Sequence, residues 1–247
     1  MCPDNPVPGL SKALTEQDLR KSQNIYNTLQ DESRQPELSE SHLNALAELF
    51  VRHFAHETFG VHLAHSHFRI PSNNVLLGTN YNGPCSRWAK TIPFEDMNLG
   101  RVHGHIFVLR DNTFHPYEFQ IGSMPDPPQG TSEFLAELAE YLVMHNLTDL
   151  VGLQVIHPDP LPMYELVLPM GTIMMDASRL TGCLPTRHTG WRFEIRDGEP
   201  RVCTPYETHA KHSGGHDIFN KGSPLPKLDN IEDVMNVLEQ KKVLLKV

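Results

Sequence analysis

The sequence has 247 residues, of which 39% are hydrophobic and 21% are charged, and its formal net charge is -9 when the histidines are counted as neutral. This composition is that of a folded globular protein and argues against disorder. No cluster of Lys and Arg interrupts the acidic balance, so we expect no nucleic-acid partner.

The ends and the cysteines of the chain indicate an ordinary intracellular protein. No secretion signal opens the sequence, and no stretch approaches the about 18 apolar residues of a membrane-spanning helix. The four cysteines form no C-x-x-C pair, so a disulfide framework is not indicated. We therefore expect a cytoplasmic location and no membrane partner.

Two helices are predicted in the N-terminal quarter of the chain. Thr15 and Asp18 resemble a helix start, and a polar linker follows at 31–36. Ser39 begins a stronger helix whose apolar residues recur at helical spacing until Gly60. The organisation predicted from this is an N-terminal helix and linker at 1–38 and a single α+β domain at 39–247.

The rest of the chain alternates between strands and helices. A helix is predicted from Ser132 and another from Asp229 to Glu239, and long irregular stretches are predicted at 79–100 and 205–228. Strands are predicted at 61–70, 75–78, 102–109, 117–121, 152–156, 163–168, 172–176, 191–196 and 201–204. Strands in hairpins with grouped helices favour an α+β fold, in which a curved antiparallel sheet or partly open barrel carries helices packed on one face.

Histidines are the strongest chemical signal in the sequence. There are fifteen of them, and they include the pairs His65-x-His67 and His103-x-His105 on predicted strands. Because strand side chains alternate, the two imidazoles of each pair point to one face, about 7 Å apart. This spacing suits two ligands of one metal ion, although an H-x-H pair is also common on the polar face of a half-buried strand.

Two glutamates lie among apolar strand residues and are candidate partners for these histidines. Glu118 stands between Tyr117 and Phe119, and Glu165 lies within the run 163–168. A buried carboxylate needs a hydrogen-bond donor or a cation. Two histidines with one carboxylate form a known site for Fe, whereas mixed imidazole and carboxylate ligands also suit Cu or Zn.

A specific arrangement follows from the alternation of side chains. His65 and His67 share a predicted strand face with the apolar Val61 and Leu63, so we expect both imidazoles to face the interior of the curved sheet. We expect Glu165, from a different strand, within about 5 Å of one imidazole. The predicted catalytic residues are therefore His65, His67, Glu118 and Glu165, and the predicted metal ligands are His65, His67 and Glu165.

Other residues are weaker candidates. We predict that Trp191, His103, His105 and Arg187 contact the substrate, because an aromatic ring, two imidazoles and a cation can bind and orient a small molecule. Another group contains one cysteine and three histidines and can be a structural zinc site or a Gly/His-rich loop that covers a pocket, and the missing cysteine pair favours the loop. Its members are Cys203, His209, His212 and His216.

Several short motifs resemble a family of fungal hypothetical proteins. They are L-x-H-x-H-F at 63–68, P-x-E-F at 116–119, an internal strand glutamate, and T-G-W at 189–191 with a downstream cysteine. The resemblance covers 40–216. It implies no particular activity, but it implies a role in specialised small-molecule metabolism and draws attention to the histidines, glutamates, tryptophan and cysteine of these motifs.

Three functions are compatible with the sequence. The first is an enzyme of small-molecule metabolism that uses a histidine and glutamate site in an apolar pocket, with a bound transition metal. The second is a cofactor-independent cyclase or isomerase with histidine and glutamate as general acid and base. The third is a non-catalytic protein that binds a small molecule. No dinucleotide or P-loop motif is present, so we expect no nucleotide cofactor.

Overall fold

The computed structural model describes residues 6–82, 86–156, 161–203, 206–212 and 228–245. Its helices are α1 (Glu16–Tyr26), α2 (Glu40–Arg52), α3 (Thr131–Met144) and α4 (Ile231–Gln240). Its strands are β1 (Phe59–Leu63), β2 (Asn74–Tyr81), β3 (Ser86–Pro93), β4 (Val102–Arg110), β5 (Thr113–Ile121), β6 (Val151–Val155), β7 (Met163–Leu168), β8 (Gly171–Asp176), β9 (Leu184–Trp191), β10 (Phe193–Arg196), β11 (Glu199–Val202) and β12 (Glu207–Lys211). Within these residues, no helix is both long enough and apolar enough to cross a lipid bilayer.

Ten of the strands form a closed barrel in the order β1-β6-β4-β5-β2-β3-β8-β7-β12-β9, and β10 and β11 form a separate hairpin. Most neighbours are antiparallel, but β2 pairs with β5 and β7 pairs with β12 in parallel. The α+β class is confirmed. The predicted curved antiparallel sheet or partly open barrel is matched only in part, because the barrel is closed and mixed. β3 and β12 lie where irregular structure was predicted and supply two of its strands.

Two large apolar clusters lie outside the barrel. One cluster joins α2 and α3 to β1, β6 and β9, with Phe50, Phe134 and Val61 among its members. A second joins α4 to β7 and β8 through Val234 and Leu166. Helices therefore cover several sides of the barrel rather than one face, and the chain buries its hydrophobic surface between strands and helices.

The interior of the barrel is rich in polar side chains. Six buried polar or charged residues line its cavities: His62, His105, Glu118, Gln120, Glu165 and Glu207. Gln154 is also buried there and donates to Glu207. Such groups are costly to bury unless they are paired, and the pairs described below satisfy most of them. The predicted apolar pocket is therefore apolar only in part.

One end of the barrel is closed by α1 and by the segment after β1. Tyr26 and Leu29 pack there against Ile106 and Val108 of β4. The helix begins as predicted, with a capping box between Thr15 and Asp18. The N-terminal segment thus packs across the end of the barrel next to the polar interior.

Candidate metal centre

Three histidines and one glutamate meet inside the barrel near its closed end. We call His65, His67, Glu165 and His209 the His/Glu cluster; one potential ligand atom from each lies within 4.8 Å of the others. Their side chains are at most 9% exposed. They come from the segment after β1, from β7 and from β12, so only the closed barrel brings them together.

The distances within the His/Glu cluster are those of neighbouring ligands around one ion. His209 Nε2 lies 2.7 Å and His65 Nε2 lies 3.6 Å from Glu165 Oε2. His67 Nε2 is 3.3 Å from Glu165 Oε1, and the Nε2 atoms of His65 and His209 are 3.2 Å apart. Tetrahedral ligands that bind Zn²⁺ at about 2.0–2.2 Å lie roughly 3.3–3.6 Å from one another. Three of the four distances are close to this range, and the 2.7 Å contact is shorter. The four side chains can therefore hold one metal ion after small shifts.

Backbone contacts hold the two histidines of the segment after β1. His65 Nδ1 donates to the carbonyl of Leu63 at 2.6 Å, which leaves the lone pair on Nε2, the atom that faces the cluster. The backbone N–H of His67 donates to the Tyr26 hydroxyl at 3.2 Å, and the N–H of Ser66 donates to the carbonyl of Gln30 at 3.0 Å. The N-terminal segment thus fixes the position of both ligands.

The prediction that His65 and His67 share one strand face with Val61 and Leu63 is wrong. β1 ends at Leu63, and Val61 and Leu63 pack in the outer apolar cluster. His62 is the β1 residue that points inward and lines the interior cavity. His65 and His67 reach the interior because the chain leaves the sheet after Leu63, so they do not alternate with the strand.

Glu32 lies behind His209. Its Oε1 atom is 3.6 Å from His209 Nδ1. A carboxylate therefore faces the ring nitrogen that points away from the cluster, whereas Nε2 points toward it. Arg187 holds this part of the chain, because its guanidinium donates to the backbone carbonyls of Glu32, Gln35 and Pro36. Glu32 and Arg187 together bring one charge of each sign to the closed end.

Burial and mutual interaction perturb the pKa values within the cluster. Burial raises the pKa of the Glu165 carboxyl, but the imidazoles of His209 and His67 outweigh it and hold that pKa well below its usual range. Burial lowers the pKa of His65, yet its interactions with Glu165 prevail and the net pKa is raised. For His209 burial prevails, and its pKa falls to about 4. An ionised Glu165 and a neutral His209 are the forms that bind metal.

A second polar network lies beside the cluster. His62 Nε2 is 3.3 Å from Glu207 Oε2, and Gln154 donates to Glu207 Oε1 at 2.9 Å. The Gln154 amide nitrogen is also 3.4 Å from His105 Nε2. Glu207 fits because the facing residue is Gly190, where a Cβ would lie 2.8 Å from the Cβ of Glu207.

Two interior cavities adjoin these groups. The smaller, of about 20 Å³, touches His65, His67 and Glu165 and has room for about one water molecule. The larger, of about 400 Å³, lies toward the other end of the barrel and is of the size of small-molecule sites. Both are lined by Arg87 and Glu207, so the His/Glu cluster and the larger cavity are close neighbours.

The other predicted site residues lie in different surroundings. Glu118 lines the smaller cavity and pairs with Arg87, and His103 and His105 line the larger one. Trp191 and Arg187 line neither cavity: Trp191 packs in the outer apolar cluster, and Arg187 binds the backbone carbonyls noted above.

The pair His103-x-His105 points into the barrel for a reason other than simple alternation. The register of β4 against β5 shifts between Gly104 and Ile106, so His105 is the additional residue of a bulge. Burial lowers the pKa of His103 and lowers that of His105 well below its usual value. Both imidazoles are thus neutral hydrogen-bonding groups, and neither belongs to the His/Glu cluster.

His209 is the candidate ligand that the sequence analysis assigned to a different group. We grouped it with Cys203, His212 and His216 and favoured a loop for the group, but His209 lies on β12 inside the barrel. Cys203 is a half-buried free thiol outside the His/Glu cluster. His212 forms an isolated bridge after β12, and His216 lies outside the described residues. The available signal was the spacing of Glu207 and His209, since residues two apart on a strand share one face.

Comparisons of the chain with protein-family models, with curated proteins and with solved structures yield no match.

Proposed function

We propose that this protein is an enzyme that uses a transition-metal ion, held by the His/Glu cluster, to act on a small organic molecule in the barrel. The observation that carries this proposal is the convergence of three imidazole Nε2 atoms and one carboxylate within 4.8 Å, beside a water-sized cavity.

The donor set suits a metal of intermediate softness. Three imidazoles and one carboxylate favour Fe, Cu or Zn over Mg or Ca, which prefer oxygen ligands. A bound ion of this kind supplies Lewis acidity, which polarises a substrate oxygen or lowers the pKa of a water molecule. The small cavity supports an additional coordination position, because it adjoins three of the four ligands.

The chain's own residues supply positioning and exclusion of water. The closed strand ladder and α1 shield the His/Glu cluster from solvent, which strengthens its electrostatic interactions. Glu207 and Arg87 lie between the cluster and the larger cavity, where they can hold the polar end of a substrate. His62 and Gln154 orient Glu207 through the contacts described above.

The wider biological context stays a prediction. A role in specialised metabolism depends on the resemblance of the sequence motifs alone. A metal-independent cyclase or isomerase, or a non-catalytic binding protein, remains the outcome if the test below fails.

The test is cobalt binding by metal-free protein purified without an affinity tag. Co²⁺ has visible absorption bands that report its ligands, and we expect one Co²⁺ per chain. His67→Ala and Glu165→Gln should abolish or alter the bands. His188→Ala is the matched control, because His188 is exposed and its ring hydrogen-bonds to the Thr208 hydroxyl instead.

A second measurement separates a catalytic from a structural site. Azide is a small anion that binds metals with an open coordination position. We expect azide to shift the bands of the cobalt protein. If the protein binds one Co²⁺ per chain but its absorption bands do not change with azide, the site is closed and structural. If the protein binds no Co²⁺, the proposal of a metal centre is refuted.

A further inference from the structure

The larger cavity has an apolar wall and a polar inner end. Its wall and rim include Met163, Met174, Val155, Ile121 and Leu161. Ile121 and Leu161 are 48% and 45% exposed, so apolar side chains form part of the entrance beside the exposed polar Asn82 and Ser123. A ligand that fills this space needs an apolar body, because burial of apolar surface is the main favourable contribution to its binding.

Arg87 lies at the inner end of the cavity with a defined orientation. Its Nε donates to Gln120 Oε1 at 2.8 Å, and its Nη2 donates to Glu118. The guanidinium can only donate, so the Gln120 amide oxygen must face it. The Nη1 group makes no hydrogen bond with any described residue. Gly78 leaves room for the guanidinium, because a Cβ there would lie 2.4 Å from Nη2.

The formal charges of the barrel interior balance when a divalent ion is bound. Glu118, Glu165 and Glu207 contribute three negative charges, and Arg87 with the ion contributes three positive ones. A charged ligand would leave one charge unmatched in a buried site, which is strongly unfavourable. An uncharged ligand keeps the balance and still offers an acceptor to Arg87.

We infer that the substrate is an uncharged, mainly apolar molecule whose carbonyl oxygen accepts a hydrogen bond from Arg87 Nη1. The inference depends on the proposed function, because the ion provides two of the positive charges. It deepens that function by placing the carbonyl beside the His/Glu cluster and the apolar body against Met163 and Met174.

The experiment uses four naphthalene compounds that share one ring system and differ in charge. They are 2-acetylnaphthalene, 2-naphthoate, 2-naphthylmethylammonium and naphthalene, and each is titrated calorimetrically into zinc-loaded protein. We expect the ketone to bind about tenfold more tightly than the other three, which is the effect of one hydrogen bond to a charged donor. Equal or tighter binding of either ion, or no binding of any compound, would overturn the inference.

Two variants locate the binding. Arg87→Lys keeps a cation beside Glu118 but removes Nη1, so the ketone should bind no better than naphthalene. Leu161→Trp should weaken the binding of all four compounds by narrowing the entrance. Val143→Trp is its matched control, because Val143 is 53% exposed on α3. Ketone binding that is insensitive to both Arg87→Lys and Leu161→Trp would place it elsewhere and refute the inference.

The outcomes distinguish this inference from the proposed function. Zinc content is measured on the same samples. A protein that holds one zinc per chain but prefers the carboxylate or the ammonium compound retains the metal centre and loses the inference. A protein that holds no zinc loses both, since the charge balance then no longer applies.

Discussion

Metal binding should stabilise the fold through His209, and a single substitution tests this. Zinc at about 100 times its dissociation constant raises the free energy of unfolding by about 2.7 kcal/mol, provided that it binds only the folded chain. For a protein of this size, 1 kcal/mol moves the melting midpoint by about 2–4 °C. We therefore expect zinc to raise the midpoint of metal-free protein by about 5–10 °C.

His209→Ala removes the ligand that lies closest to the Glu165 carboxylate, at 2.7 Å. Loss of a residue that only orients a ligand weakens metal binding by about 10–100-fold, so loss of a ligand should weaken it at least about 100-fold. At the same zinc concentration the stabilisation then falls to about 0.4 kcal/mol, and the shift falls to about 1–2 °C.

The assay is thermal unfolding followed by circular dichroism, with chelator-treated protein as the reference for each variant. His188→Ala is the control, because its imidazole bonds to Thr208 on the same pair of strands and does not belong to the cluster. We expect it to retain the full zinc shift. An equal shift in His209→Ala and the native protein would refute the assignment of His209 as a ligand.

Three further predictions concern stability. The pKa of His209 is about 4 in the folded protein and about 6.5 in the unfolded chain, so the unfolded chain takes up the proton first on acidification. The metal-free protein should therefore lose on the order of 3 kcal/mol of stability as the pH falls from about 6.5 to about 4, measured by urea unfolding. Gly190→Ala would place a Cβ 2.8 Å from the Cβ of Glu207 and should lower the free energy of unfolding by about 1–3 kcal/mol in the same assay. Gly100→Ala is its control and should be close to neutral, because the nearest atom to a Cβ there lies at 3.6 Å. Arg87→Met should cost about 3–5 kcal/mol by leaving Glu118 buried without its cation, and the double variant with Glu118→Gln should recover most of this loss.

The convergence of two histidines with Glu165 could be predicted from residue chemistry. A carboxylate within an apolar strand run needs a partner, and the H-x-H pair was the available donor. The expected distance of about 5 Å is met, since His67 and His65 lie 3.3 Å and 3.6 Å from the Glu165 oxygens. The prediction placed both histidines on one strand, but β1 ends at Leu63. The proximity of the histidines to Glu165 was therefore predicted correctly, whereas the strand geometry behind that prediction was wrong.

The closure of the barrel could not be predicted from hydrophobic alternation. A strand with an apolar outer face and a polar inner face carries the usual period, but nothing in one sequence says which face is inside. β3 and β12 also carry many polar residues, so the sequence pattern indicated irregular structure for both. Since β12 was not predicted as a strand, His209 was not predicted as a metal ligand. Its partners are distant in sequence, and only the pairing of β12 with β7 brings it beside Glu165.

The placement of the apolar clusters has a consequence for the metal centre. Much of the hydrophobic surface that stabilises the fold lies between the barrel and the helices, so part of the interior can hold groups whose burial opposes folding. The Nε2 atoms of His65 and His209 illustrate this, because they lie 3.2 Å apart and His65 Nδ1 donates to the Leu63 carbonyl, which leaves a lone pair on His65 Nε2. Without metal, a neutral His209 that carries its one N–H on Nε2 can donate it to this lone pair or to Glu165 Oε2 at 2.7 Å. When that proton lies on Nδ1, which faces Glu32, both Nε2 lone pairs and the Glu165 carboxylate face one another and repel. A cation at their centre removes this repulsion without movement of the barrel, which is why we expect metal to bind a site that is already formed.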